Sequence, residues 1–380
     1  MEILNYTKEH EQFRNRVHDF MNKEVIPSVE QWEKERIMPK SAWKRLGEEG
    51  FLCTTISPEY GGPGHDFIHA YIVADELVKT HHFGMGPSTH SDIVVPYLNT
   101  FASEKLKQKY LPGCVSGDII TAIVISEPGA GSDVASISAT MEDDGNELVL
   151  NGSKTFITNG INCGLAVVAF RDPAVDNPYK GISICLVEEG TPGFEKGKKL
   201  DKLGMYSQDT SELFFTDCRI PKENLIGTRG AGFQMLMQKL QQERLMVSIF
   251  SVGAAEYLLK RTIKFYKENS GKGKSVPNSQ SNQFSLVEMT TDLTLGRTFL
   301  EKLLAEHMEE NDVVTETSMA KFWTAEMVNR VVNGCLDIYG NLGMLEKDPV
   351  SRYFRDMRIM PIFAGTNEIM RQIIAKRMEL

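Results

Sequence analysis

Residues 230–268 read GAGFQMLMQKLQQERLMVSIFSVGAAEYLLKRTIKFYKE, and their apolar side chains recur at the spacing of one long helix. The inward-facing positions of that helix are Leu236, Leu240, Glu243, Val247, Phe250 and Ala254. Every member of this set is apolar except Glu243, so a carboxylate occupies a position that should bury hydrocarbon. Burial raises the pKa of an unpaired carboxyl group, and such a group suits the removal of a weakly acidic C–H proton. The alternative is a buried ion pair with Arg244 or Arg261.

The composition describes an ordinary globular protein. The chain has 380 residues, of which 41% are apolar and 24% charged, so we expect two or three domains. A formal net charge of −9 argues against nucleic acid or an anionic membrane surface as the main partner. The six cysteines form no C-x-x-C pair, which favours free thiols, and we predict no metal site. The N-terminus has no signal-peptide pattern, so we predict a cytoplasmic protein, with a matrix protein stripped of its transit peptide as the alternative.

The hydrophobic period divides the chain into three parts. Residues 1–118 follow a helical period, and Pro27 is expected to end the first helix. Residues 119–228 contain short β-rich runs bounded by turn residues, and residues 229–380 return to the helical period. We therefore predict an α+β multidomain fold with an N-terminal α-helical domain, a central antiparallel β-barrel or sandwich and a C-terminal four-helix bundle. Strands are predicted near 119–125, 147–150, 165–170, 182–187 and 212–215, and a polar loop at 269–282.

Two small loops of the β region carry most of the polar groups that could hold a ligand. Residues 126–133 (SEPGAGSD) follow the first predicted strand, and residues 151–160 (NGSKTFITNG) surround the next turn. Together they offer hydroxyls, backbone N–H donors and one aromatic ring, which can hold a flat polar heterocycle.

These loops, in this order and with these flanks, resemble the acyl-CoA dehydrogenase family along the whole chain. Further matching segments are 58–62 (PEYGG), 110–112 (YLP), 213–217 (LFFTD), 219–221 (RIP), 224–227 (NLIG), 354–356 (FRD) and 363–371 (FAGTNEIMR). The resemblance implies FAD as cofactor and oxidation of the α,β bond of an acyl thioester. It also implies a homodimer or homotetramer and electron transfer to an electron-transferring flavoprotein.

The resemblance implies specific flavin contacts. Ser126 and Ser132, with backbone N–H groups from 125–132 that include those of Ile125 and Gly131, would contact the flavin or its phosphates. Phe156 would cover the isoalloxazine ring, and Thr158 would hydrogen-bond near the flavin N5 atom. The remaining cofactor positions implied by the resemblance are Lys272, Gln280, Gly340, Thr366 and Glu368.

The resemblance also implies where the catalytic base lies. One branch of the family places a glutamate directly before the Gly-Thr of the C-terminal motif, where this chain has Ala364. The long-chain and isovaleryl branch places it in the Glu-Arg pair of the long helix, which is Glu243-Arg244 here. The Ala364 backbone N–H would then bind the thioester carbonyl oxygen. The substrate positions implied with it are Ser132, Asp92, Arg244, Phe363 and Gly365.

The chain departs from the family pattern at a second flavin-anchoring segment. The family's arginine and the phenylalanine-glycine pair after it correspond to Asn269, Lys272 and Gly273. Its glutamine and two successive glycines, which meet the FAD of the neighbouring subunit, correspond to Asp337, Gly340 and Asn341. We expect either local compensation, with Lys272 or Lys274 supplying the lost positive charge, or a weakened FAD site.

Asp92 leaves the substrate class open. It matches the helix that lines the acyl pocket in relatives. It is interpreted either as a capping or salt-bridged residue, or as a group that faces a polar or cationic acyl group or serves as a second base. The alternative functions are a biosynthetic dehydrogenase of an aminoacyl- or hydroxyacyl-carrier-protein thioester and a non-catalytic, flavin-poor homologue.

Overall fold

Helices at both ends of the chain enclose a central sheet. The structure, a computed structural model, describes residues 3–81, 84 and 86–380. The helices of the N-terminal part are α1 (Lys8–Phe20), α2 (Val29–Glu35), α3 (Lys40–Glu48), α4 (Phe67–Val78), α5 (Gly86–Ser88), α6 (Val95–Phe101) and α7 (Glu104–Ser116). Two π-helical segments, Met21–Val25 and Thr89–Val94, continue α1 and connect α5 to α6.

The expectation that Pro27 ends the first helix is wrong. The chain stays helical through the π segment and a 3-10 turn, Ile26–Ser28, and then enters α2. Pro27 lies in the first turn of that 3-10 segment, where a missing backbone N–H breaks no helical hydrogen bond.

Eight strands form one sheet in the described part of the chain. They are β1 (Thr121–Val124), β2 (Thr140–Asp144), β3 (Glu147–Thr158), β4 (Leu165–Arg171), β5 (Ile182–Glu188), β6 (Phe194–Lys199), β7 (Thr210–Pro221) and β8 (Leu225–Ile226). Their order is β6-β7-β3-β2-β4-β5-β8, with β1 beside β4. The sheet is open, because β6 and β8 end this path without pairing with each other. The predicted α+β fold with a central β domain is confirmed, but the barrel alternative is wrong because the sheet is not closed, and β1 runs parallel to β4.

The C-terminal part is helical, as predicted. Its helices are α8 (Gly232–Asn269), α9 (Gln280–Met308), α10 (Val314–Tyr339), α11 (Pro349–Asp356) and α12 (Asn367–Arg377). The polar segment predicted as a loop separates α8 from α9. Helix α10 packs against α8, α9 and α12, so it lies at the centre of this domain.

One continuous apolar core joins the three parts. It includes side chains of α4 and α6, the length of α8 and α10, and the inward faces of β4 and β5. The opposite face of the sheet covers a second cluster that includes Phe170, Leu213 and Phe215. The shared core fixes the position of the β loops relative to α8.

A group of histidines near two helix N-termini has a structural explanation. Asp66 caps α4 and also contacts His10 Nε2 at 3.1 Å and His69 Nδ1 at 2.8 Å. The rings of His65 and His69 stack with an interplanar angle of 12°, so a metal ion could not lie in both ring planes. His10 Nδ1 accepts the Thr7 N–H, which leaves its proton on Nε2, facing Asp66. The group therefore fits helix capping better than metal binding.

Candidate active site

Glu243 is buried on α8 beside a tyrosine. Its side chain is 7% exposed, and its Oε1 accepts a hydrogen bond of 2.9 Å from the Tyr97 hydroxyl of α6. Burial raises the pKa of Glu243 to about 7, although the Tyr97 hydrogen bond and the Arg244 charge act in the opposite direction. Within the described residues no cationic nitrogen lies within 4.0 Å of this carboxylate. The ion-pair alternative is therefore wrong for the described part of the chain, and Glu243 can exchange a proton near neutral pH.

Arg244, the next residue, points to α10 instead of to a carboxylate. Its guanidinium donates to the Ser318 hydroxyl at 3.3 Å, and its Nε has no hydrogen-bond partner in the part of the chain that is described. Burial lowers its pKa. A buried, poorly paired cation next to Glu243 makes this part of the protein interior electropositive.

The segment from α5 to α6 connects Glu243 with the β domain. Gln242 Nε2 donates to the Asp92 carbonyl oxygen at 2.6 Å, and Asn159 Nδ2 donates to the carbonyl oxygens of Gly86 and Thr121 at 3.2 and 3.1 Å. The turn after Thr158 and the helix turn before Glu243 therefore contact the same segment. The second β loop therefore contacts the start of the 86–94 segment, at Gly86, and the helix turn that carries Glu243 contacts its end, at Asp92.

The Asp92 side chain is buried, and the described residues give its carboxyl group no partner. It is 5% exposed, and the described residues supply neither a hydrogen bond nor an ion pair to its carboxyl group. Burial raises its pKa well above the usual range. It does not cap its helix either. The interpretation of Asp92 as a capped or salt-bridged residue is therefore wrong within the described residues.

A buried ion pair holds the two β loops together. Lys154 Nζ lies 2.7 Å from Glu127 Oε1 and 3.0 Å from the Ile125 carbonyl oxygen, and both side chains are almost fully buried. Glu127 also accepts hydrogen bonds from the backbone N–H groups of Ser138 and Ala139. A backbone hydrogen bond of 3.0 Å from Thr155 to Ser126 continues the contact. The pair therefore fixes the first loop against β3.

The paired loops present surfaces that fit a flat ring with a phosphate tail. Phe156 follows the Lys154 contact in a left-handed conformation, with φ 59°, and its side chain is 73% exposed. This leaves an apolar ring at the surface that could pack against a bound planar group. Gly131 has open space where a side chain would be, so its backbone N–H is accessible, and Ser132 beside it is exposed. Thr158 is half-buried, and its hydroxyl accepts from Gln208 at 3.2 Å.

The C-terminal motif forms a tight turn before α12. Ala364 and Gly365 have φ values of 51° and 84°, and Thr366 caps α12 by accepting the Ile369 N–H at 3.3 Å. Lys321 of α10 donates to the Gly365 carbonyl oxygen at 2.6 Å. Phe363 packs against the apolar core, whereas Glu368 is exposed. Because Ser318 and Lys321 are three residues apart on α10, one face of that helix contacts both Arg244 and this turn.

The other implied cofactor positions are remote from Glu243 in the same chain. Lys272 lies in the exposed loop after α8, Gln280 begins α9, and Gly340 follows α10 with φ 56°. The end of α8 is about 40 Å from Glu243 along the helix axis. These residues therefore do not join the Glu243 site within one chain.

Known proteins match the chain along its whole length. Family models for the N-terminal, middle and C-terminal domains of acyl-CoA dehydrogenases match residues 7–118, 122–218 and 230–379. The pig long-chain specific acyl-CoA dehydrogenase, a mitochondrial protein, is 39% identical over 98% of this chain and 86% of its own length. The chain belongs to the acyl-CoA dehydrogenase family. Members of this family are FAD-dependent oxidoreductases that act on CH–CH bonds and are typically homo-oligomers.

Solved structures agree with this assignment. The acyl-CoA dehydrogenase of Geobacillus kaustophilus has a TM-score of 0.97 and 45% identity, with 99% of each chain covered. The prolyl acyl carrier protein oxidase AnaB has a TM-score of 0.91 and 27% identity, covering 99% of this chain and 100% of its own. Within the described residues, no helix is both long and apolar enough to cross a membrane.

Sequence reasoning missed three parts of this acyl-CoA dehydrogenase site. Tyr97 carries no signal in the sequence, because its hydrogen bond to Glu243 joins residues from two domains. Lys321 occupies an inward position of α10, and a lysine at such a position could have been noticed in the same way as Glu243. Glu127 and Lys154 both lie in the quoted loops, yet only the packing of the first loop against β3 shows that they form a pair.

Proposed function

We propose that this protein catalyses the FAD-dependent α,β-dehydrogenation of an acyl-CoA thioester, with Glu243 as the base. The observation that carries the proposal is the burial of Glu243 with a pKa of about 7 and no ion-pair partner among the described residues. A carboxyl group that titrates near the working pH can accept the α-proton and later release it. Ala364 occupies the alternative base position of the family and has no titratable group.

The residues present fit the cofactor and the substrate. Ser126, Ser132, Phe156, Thr158 and the backbone of 125–132 would hold FAD, which would supply the acceptor for the β-hydride. The N–H of Ala364 would donate to the thioester carbonyl oxygen and stabilise the negative charge that develops there. Burial of Arg244 near Glu243 adds positive potential to the same region. The chain therefore supplies a base, an oxyanion donor and an exposed aromatic surface for the flavin.

The direct test replaces the base. We expect Glu243→Gln to keep bound flavin and thioester affinity and to lower the rate of thioester-driven flavin bleaching by several orders of magnitude, because an amide cannot accept the proton. Stopped-flow absorbance with a panel of acyl-CoA thioesters measures this rate. Glu268→Gln, an exposed change on the same helix, should leave the rate unaltered.

Two outcomes would contradict the proposal. Retention of more than about one tenth of the wild-type rate in Glu243→Gln would remove this residue from the base role. A purified wild-type protein that is not yellow, or that no thioester bleaches, would favour the non-catalytic homologue.

A carrier-protein thioester is the second candidate substrate. It is favoured by the similarity to a prolyl acyl carrier protein oxidase and by the buried carboxyl group of Asp92, which has no partner among the described residues and could bind a polar acyl group. The same bleaching assay decides between the two when each acyl group is presented on CoA and on a carrier protein. We further propose that the reduced enzyme passes its electrons to an electron-transferring flavoprotein and acts as a homodimer or homotetramer.

A further inference from the structure

Lys321 is fully buried, and the described residues offer it no carboxylate partner. Its side chain is 0% exposed, and no carboxylate oxygen of the described residues lies within 4.0 Å of its ammonium group. The atoms it contacts are the Gly365 carbonyl oxygen at 2.6 Å and Asn367 Oδ1 at 3.3 Å. Burying a lysine costs stability unless an opposite charge compensates. A role other than stabilising the fold would explain why a lysine occupies this position.

The two contacts lie on one strained turn. Ala364 adopts φ 51°, a left-handed conformation that is unfavourable for a residue with a Cβ atom, and Gly365 follows with φ 84°. Asn367 fixes the far end of the turn, because its backbone N–H donates to the Pro361 carbonyl oxygen at 2.9 Å. Strain of this kind persists only where neighbouring groups hold the backbone in place.

We propose that Lys321 is a positioning residue: its ammonium group holds the Gly365 carbonyl oxygen and thereby keeps Ala364 in the conformation that directs its N–H toward the thioester oxygen. The role of the Ala364 N–H in this inference rests on the proposed function. The contact between Lys321 and the Gly365 carbonyl oxygen does not depend on that function. The position of Lys321 one helical turn after Ser318 lets α10 hold the turn and Arg244 from the same face.

Burial and two nearby charged groups determine the pKa of Lys321. Burial lowers the pKa of Lys321 to about 7, Arg244 of α8 acts in the same direction, and Glu368 of α12 acts in the opposite direction. A lysine whose pKa is lower in the folded than in the unfolded protein destabilises the fold. The loss of stability is largest below the folded-state pKa, and it decreases as the pH rises toward the pKa of the unfolded chain. A lysine that serves only the fold would not carry this cost.

The test compares Lys321→Met with Thr324→Val on the same helix. Methionine keeps the apolar stem and removes the ammonium group, whereas Thr324 bonds only within its own helix. Hydrogen exchange of the purified holoenzyme, measured by mass spectrometry, should show at least about tenfold faster exchange in Lys321→Met for peptides covering 361–368. Thr324→Val should show wild-type exchange there.

Two further measurements separate positioning from a structural role. The thermal unfolding midpoint of Lys321→Met should equal or exceed that of the wild type, with a larger gain at pH 6 than at pH 9. The rate of thioester-driven flavin bleaching should nevertheless fall about 30- to 100-fold, as expected for loss of an aligned oxyanion donor. Lys321→Gln, which can still donate to the carbonyl, should recover part of the rate.

Unchanged exchange at 361–368 would overturn the inference, and so would a lowered unfolding midpoint with faster exchange over the whole domain. The exchange measurement needs no thioester, so it remains decisive if Glu243→Gln shows that the proposed function is wrong. Faster local exchange with wild-type bleaching would also overturn the inference, since the turn would then not direct the reacting group.

Discussion

At the residue scale, the pH dependence of the reaction is set by the balance between burial and one hydrogen bond. Burial raises the pKa of Glu243, and the Tyr97 hydroxyl, which stabilises the ionised carboxylate, lowers it. The base is active only when ionised, so the rate should rise with pH through about 7 and then level off.

Tyr97→Phe should therefore move this midpoint to higher pH. Removing the hydroxyl leaves the ionised form of Glu243 less stable, and we expect a shift of about one pH unit with little change in the plateau rate. The rate of flavin bleaching between pH 5.5 and 9.5 measures it. Tyr60→Phe removes a hydroxyl that bonds Glu104 near the surface, and its profile should match the wild type. A profile of Tyr97→Phe that is unchanged, or displaced to lower pH, would show that the hydroxyl does not stabilise the carboxylate.

Prediction from sequence succeeds for residues whose surroundings are periodic. The burial of Glu243 follows from its place between Leu236 and Phe250, because a helix returns each third or fourth residue to the same side. Tyr97 was not predictable, because its contact with Glu243 depends on how α6 packs against α8. The lack of a partner for the Asp92 carboxyl group among the described residues was not predictable either, since no sequence pattern signals that a contact is absent.

At the element scale, the two β loops depend on one buried ion pair. Lys154→Met removes the cation and leaves Glu127 as an uncompensated buried charge, so we expect a loss of about 3 kcal/mol in the free energy of unfolding. FAD affinity should fall as well, since Phe156 follows Lys154 in the same strand. Urea unfolding and flavin titration of the apoprotein measure the two effects.

The matched control is a lysine of an exposed pair. Lys105 contacts Glu223 at 2.7 Å, but both side chains are at least half exposed, so Lys105→Met should cost less than about 1 kcal/mol. The double change Glu127→Gln with Lys154→Met should be less destabilising than Lys154→Met alone, because no buried charge remains. A double variant as unstable as the sum of the two single changes would show that the charges are not coupled.

Strand prediction failed where the side chains are charged. β2 (TMEDD) and β6 (FEKGKK) are stabilised by pairing with long neighbours, β3 and β7, and not by an apolar alternation of their own. The five predicted strands correspond to β1, β3, β4, β5 and β7, which contain apolar or alternating runs. That the sheet stays open was not predictable, since strand order depends on pairing between residues far apart in the sequence.

At the scale of the whole molecule, a buried ionic group joins the N-terminal helices to the C-terminal domain. Asp75 of α4 contacts Arg14 of α1 at 2.7 Å, Lys79 of its own helix at 2.9 Å and Arg297 of α9 at 3.7 Å. Arg297 also pairs with Glu256 of α8. This group links four helices, α1, α4, α8 and α9, whose packing positions α8 and therefore Glu243.

Asp75→Asn should show how much this junction contributes. Three cations hold the pKa of Asp75 below its usual range against the effect of burial, so its ionised form stabilises the fold. Replacing it should lower the free energy of unfolding by about 3 kcal/mol at pH 7. A carboxyl group whose pKa is lowered by folding stabilises the protein fully above its unfolded-state pKa of about 4. This stabilisation is lost as the pH falls below that value, so the difference between the variant and the wild type should shrink toward pH 3.

Urea unfolding at pH 7, 4 and 3 measures this difference. The control is Glu301→Gln, which changes a neighbouring acid that has no ion pair among the described residues. A constant difference across that pH range would mean that Asp75 acts through packing and not through its charge.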